Sequence, residues 1–154
     1  MKLLKLSIKT LLLLFIVGTS SAQAGTVVDH IYTGYFSNKA VSGYDVIAYF
    51  EQSQPVEGSS KYQLSYKGAD WYFSSQSNLD KFTANPEKYA PQYGGYCAWA
   101  MSNDKAAPGN PPFWTIYNDK LYLNYDQNVL DTWRVNKDEF IKQADAHWAS
   151  MEKE

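Results

Sequence analysis

The sequence predicts an α+β fold: two small antiparallel β-hairpins packed by short helices and one longer C-terminal helix. Three observations predict it. Apolar and polar residues alternate over 62–73 about a Lys67-Gly68 bend, with Tyr62, Leu64 and Tyr66 on one face before it and Trp71 and Phe73 after it. Period-two patterning around a glycine turn reads as a hairpin. The same alternation returns over 113–125, and each hairpin leads into residues with helical caps and apolar spacings of three or four.

Taken in order, the chain opens on a processing signal. Lys2, Lys5 and Lys9 precede a short apolar run, and Ala22-Gln23-Ala24 fits a small-x-small cleavage site. Residues 1–24 therefore read as a secretory signal peptide, too short for a membrane span, and the mature protein is expected in a periplasmic or extracellular space. Residues 25–40 are weakly patterned and read as an N-terminal arm carrying His30. Residues 41–154 read as a single domain. Within it, Ser42-Gly43 is a turn, the apolar run 46–50 reads as a buried strand, and 52–61 as a loop. After the first hairpin, Ser74-Ser75 offers hydroxyl caps to a helix holding Leu79 and Phe82. Asn85 caps a further turn with Pro86 at its first position. Gly94-Gly95 marks a bend, and 96–102 is compatible with a helix.

The run 103–112, rich in proline and glycine, reads as a loop. In the second hairpin Asn118-Asp119-Lys120 reads as a three-residue turn. Asp126 caps the helix of Val129, Leu130 and Trp133. Asn136 with Glu139 forms a capping-box start for the last helix. Its stripe of Phe140, Ala144, His147 and Met151, broadened by Ile141 and Trp148, must pack on the body. The hairpin-then-helix order occurs twice, a similarity too coarse by itself to establish an internal repeat.

Composition narrows the function classes. The full chain has 14 basic and 16 acidic residues, a net charge of −2. Without residues 1–24 the balance is 11 to 16 and the charge −5. That acidity argues against nucleic acid or an anionic membrane surface as partner. The one cysteine excludes an intramolecular disulfide. Twenty-four aromatic residues follow the signal, more than a core of this size needs, so many sit at its boundary with polar tips wet.

The pattern Tyr66-x-Gly68-x-x-Trp71-Tyr72-Phe73-Ser74-Ser75, then Phe82, then Asn85-Pro86-Glu87-Lys88-Tyr89 resembles a YHS domain. The upstream segment Val41-Ser42-Gly43-Tyr44-Asp45 is similar to that family's opening Val-Cys-Gly-Met. The resemblance covers roughly 41–97, and the continuation Tyr93-Gly94-Gly95-Tyr96-Cys97-Ala98 is similar to an exported branch of the family. It implies a small treble-clef-like module of the kind found in metal-handling proteins, with cysteines as metal ligands. Those cysteine positions align here with Ser42, Ser74 and Asn78. Hydroxyl and amide groups replace thiolates poorly toward Zn²⁺ or Cu(I), so the clamp the family implies is dismantled.

Two readings of function follow. In the first, the protein is a non-enzymatic binding module. Tyr93, Gly94, Gly95, Tyr96, Cys97 and Trp99 then wall an aromatic cleft for a small molecule or a partner protein, with Asp45 reaching toward the glycine bend. In the second, Cys97 and Met101, one helical turn apart, hold a soft ion, and Cu(I) suits a thiolate and a thioether. His30 or His147 could assist. No Cys-x-x-Cys, His-x-x-His or His-Glu-x-x-His occurs, so no closed zinc site is readable, and no base is spaced to activate Cys97 as a nucleophile. Gly95 is also expected to tolerate substitution less well than Gly109, which lies in the irregular loop.

Overall fold

The computed structural model of the protein describes residues 29–151; the segment read as a signal peptide and the first residues of the expected arm lie outside them. The fold is α+β, as expected. A 3₁₀ turn, Ala40–Gly43, leads into helix α1 (Val46–Glu51), hairpin β1 (Ser59–Tyr66) and β2 (Ala69–Phe73), then α2 (Gln76–Ala84) and α3 (Pro86–Tyr89). A second 3₁₀ turn, Gln92–Gly95, leads into α4 (Ala98–Ser102), hairpin β3 (Asn110–Tyr117) and β4 (Lys120–Asn124), α5 (Gln127–Val135) and α6 (Lys137–Met151). Each hairpin is its own two-stranded sheet.

These two halves are one unit built twice. Leu64 pairs with Trp71 and Tyr66 with Ala69; Thr115 pairs with Tyr122 and Tyr117 with Lys120, in the same register. Both first strands carry an irregularity at the same place, between Ser59 and Gln63 and between Asn110 and Trp114. The left-handed dihedrals of Val41 and Ser42 (φ 50° and 53°) return at Tyr93 and Gly94 (55° and 59°). On the helices, Gln76 Nε2 donates to Asp80 Oδ1 at 2.8 Å, and Gln127 Nε2 to Asp131 Oδ1 at 2.8 Å. The repeat too coarse to read from element order is thus present residue by residue.

Other local expectations are corrected. Residues 46–50 are not a strand but helix α1, because Asp45 caps them by accepting from the Ile47 amide at 2.9 Å. The second hairpin turns in two residues, not three. Asn118 and Asp119 both take positive φ (49° and 57°), as Lys67 and Gly68 do in the first (49° and 77°), and such a turn matches the strand twist. The irregular loop ends sooner, since β3 starts at Asn110. Ser75, Asn85 and Asp126 cap their helices as expected.

The units pack asymmetrically, and strand β4 shows why. In β2 the inward face is Ala69, Trp71 and Phe73, while Asp70 and Tyr72 stay half-exposed. At the β4 positions matching Asp70 and Tyr72 stand Leu121 and Leu123, which join the first unit's core beside Trp71, Phe73 and Phe82. Tyr122, on the other face, packs with Trp133 and Met101 in a second cluster. Strand β4 is therefore buried on both faces from Leu121 to Asn124, while β3 stays largely half-exposed. Helix α6 begins where the first unit has only the single turn α3, then continues over α4, burying Ala144 and Met151.

Candidate functional site

The second 3₁₀ turn and the arm form the site together. Gly94 and Gly95 adopt φ of 59° and 87°, which β-branched residues avoid. The arm crosses directly over them: the Tyr32 amide donates to the Gly94 carbonyl at 2.9 Å. A methyl group at Gly94 would meet the His30 carbonyl oxygen at 2.0 Å. Glycine at 94 is what lets the arm dock, and Ile31 is buried there.

Docking divides the expected aromatic cleft in two. On one side lies a cleft of about 340 Å³ lined by Tyr32, Tyr35, Tyr96, Asp29 and the 106–108 segment. Tyr32 and Tyr96 meet at 5.2 Å between ring centroids. Burial, followed by the Asp29 carboxylate, raises the Tyr96 hydroxyl's pKa, so it remains a neutral donor at physiological pH. On the other side, a smaller cleft of about 190 Å³ carries Tyr93, Gly94, Lys67 and Trp148. The Tyr93 hydroxyl donates to Asp145 Oδ1 at 2.8 Å, and burial together with that carboxylate raises its pKa strongly.

The other expected site residues lie elsewhere. Cys97 is buried beneath the cleft and caps α4: its sulfur accepts from the Ala100 amide at 3.5 Å, and its thiol points to Asn124 Oδ1 at 3.6 Å. Burial raises the thiol's pKa, with backbone amides of Ala100, Tyr125 and Trp99 partly offsetting it. Trp99 is half-buried and donates its amide to Asn124 Oδ1 at 3.2 Å. Gly95 belongs to the turn, packed near Pro91 and Leu123.

Asp45 does not reach the glycine bend. Fully buried in the first unit, it accepts from the Ser74 amide (2.8 Å), the Ser74 hydroxyl (2.6 Å) and Asn78 Nδ2 (2.7 Å), besides its own helix. Two positions where the resemblance implies cysteine are thus donors to one buried carboxylate, while Ser42 is exposed. It is Ser75, not Ser74 or Asn78, that caps α2. Asp45 and Cys97 hold equivalent places in the two units, each the cap between a 3₁₀ turn and a short helix. The second unit's socket is less well satisfied: Asn124 Nδ2 and Trp133 Nε1 are buried without an acceptor among the described residues. The first unit has Phe73 and Phe82 at those positions.

These donors do not gather into a closed metal site. Among the described residues no three His, Cys, Asp or Glu side chains converge. Burial raises the pKa of the Cys97 thiol, which points to Asn124 Oδ1. His147 Nδ1 lies 3.0 Å from the Met101 carbonyl, a bond that places the proton on Nδ1.

Residues 47–93 match the family model of the YHS domain. The chain carries a YHS domain. The match runs from α1 to the second 3₁₀ turn, which is the first unit, and the second unit repeats its architecture outside the matched residues. No curated protein and no solved structure matches the chain significantly. Among the described residues no helix is long and apolar enough to cross a membrane.

Proposed function

We propose that the protein is an exported, non-enzymatic binding module that holds a small organic ligand in the cleft between its arm and the second unit. The observation that carries this reading is the Tyr32–Tyr96 pair, two rings at 5.2 Å beside Asp29 and an open space of about 340 Å³. A flat ligand can stack there, with tyrosine hydroxyls and a carboxylate as polar handles. The binding residues are then Tyr32, Tyr96 and Asp29, with Gly94 holding the arm in place. The alternative, Cu(I) held by Cys97 and Met101, draws on donors that are soft but buried and already engaged in packing.

Native mass spectrometry of protein purified from its exported fraction tests both. A co-purifying organic mass on wild type that is lost from Tyr96→Ala supports the cleft. One equivalent of copper, lost from Cys97→Ser, overturns it in favour of the metal.

A further inference from the structure

A larger cleft, of about 570 Å³, lies between the two units, where helix α1 of the first meets β3 and α5 of the second. Its walls include Tyr49, Phe50, Trp114, Ile116 and Leu130. Tyr49 and Trp114 meet edge to face at 5.3 Å, and the Tyr49 hydroxyl is spent on the Pro111 carbonyl at 3.1 Å, so the aromatic wall is fixed. Arg134, the single arginine of the chain, also lines this cleft. Its Nε donates to Thr115 Oγ1 at 3.3 Å and its Nη2 to the Trp114 carbonyl at 3.2 Å. Two of the five guanidinium N–H groups are thereby used to orient the fork, leaving three as donors. No carboxylate among the described residues pairs with it. The equivalent position in the first unit is Thr83, on an exposed helix face.

We propose that this inter-unit cleft is a second binding site, and that it takes a small organic monocarboxylate with a flat apolar body. A held guanidinium matches a carboxylate in two parallel hydrogen bonds, and the half-exposed faces of Phe50, Trp114 and Ile116, backed by the buried Tyr49, take the body. Asp119, which lines the same cleft, sets the charge limit: with one cation and one anion present, a polyanion such as a phosphate is disfavoured.

The test is an NMR titration of the full mature chain with phenylacetate, following the Trp114 indole and Arg134 Nε–H signals. 2-Phenylethanol and inorganic phosphate serve as controls. Saturable shifts with phenylacetate are expected, with about tenfold weaker binding in Arg134→Gln and an intermediate loss in Arg134→Lys. Arg134 is exposed, so both variants keep the dispersed spectrum of the folded chain. The proposal is overturned by unshifted signals, by 2-phenylethanol or phosphate binding as tightly as phenylacetate, or by an Arg134→Gln affinity equal to wild type.

Discussion

Asp45 and Cys97 occupy the same place in two copies of one unit, yet their substitution costs differ because their partners differ. Removing the Asp45 carboxylate leaves the Ser74 amide and hydroxyl and the Asn78 amide without their acceptor. Unmet buried donors are expensive, so Asp45→Ala should lose about 3 kcal/mol of stability in urea unfolding. Cys97→Ser replaces one capping side chain by a better one and should change stability by less than about 1 kcal/mol. The native thiol, buried and held protonated, should react with a disulfide reagent far more slowly than after unfolding. Comparable rates in the two states would contradict that. For Gly95 and Gly109 the close contacts run against the sequence expectation. Gly109 lies against the second turn's backbone, where a methyl group would meet the Gly95 carbonyl oxygen at 2.2 Å. At Gly95 the nearest atom is 3.4 Å away, and the penalty is the left-handed φ. Gly109→Ala should therefore cost about 2 kcal/mol and Gly95→Ala about 1 kcal/mol, readable as the order of their melting temperatures.

At the scale of elements, what was legible followed local chemistry. The hairpin faces, the caps at Ser75, Asn85 and Asp126, and the glycine bend are all written in short-range spacing, and the structure carries them. Helix α1 was not, because an apolar run of five residues suits a strand or a helix equally, and the Asp45 cap that decides it resembles any turn aspartate. The duplication was hidden for a different reason. The two units share fold-setting positions, such as Gly43 and Gly95, Tyr66 and Tyr117, Leu79 and Leu130, and Asn85 and Asn136. Most other positions differ between the units, a change in pattern that goes with the burial of β4 on both faces. Leu121 and Leu123 are the signature of that change, apolar where β2 has Asp70 and Tyr72. Leu123→Ala should accordingly cost about 3 kcal/mol, as a core residue does, and Tyr72→Ala about 1 kcal/mol or less. Equal losses in chemical denaturation would contradict the asymmetric packing.

For the molecule as a whole, the shared core makes the units one folding body, and pH is a lever on it. Burial raises the Cys97 thiol, Tyr49, Tyr93 and Tyr122, the last up to about 12. Each holds its proton more tightly folded than unfolded. Their contribution is complete below the unfolded values, about 8.5 for cysteine and about 10 for tyrosine, and is lost as pH rises beyond them. The urea midpoint should fall steadily above about pH 9; a flat profile to pH 11 would show that these groups titrate alike in both states. The candidate site was only partly legible on this scale. Tyr96 and the bend were visible in sequence, but Tyr32 and Asp29 join them only because the arm folds back over Gly94, a contact no local pattern encodes. The central claim is that a ligand lies where that arm docks. Hydrogen exchange, comparing protein isolated from its exported fraction with the same protein unfolded, dialysed and refolded, tests it most directly. Faster exchange after stripping, confined to residues 29–34 and 104–108, is the result predicted. Unchanged exchange there, or a change centred on 97–101 instead, would contradict it.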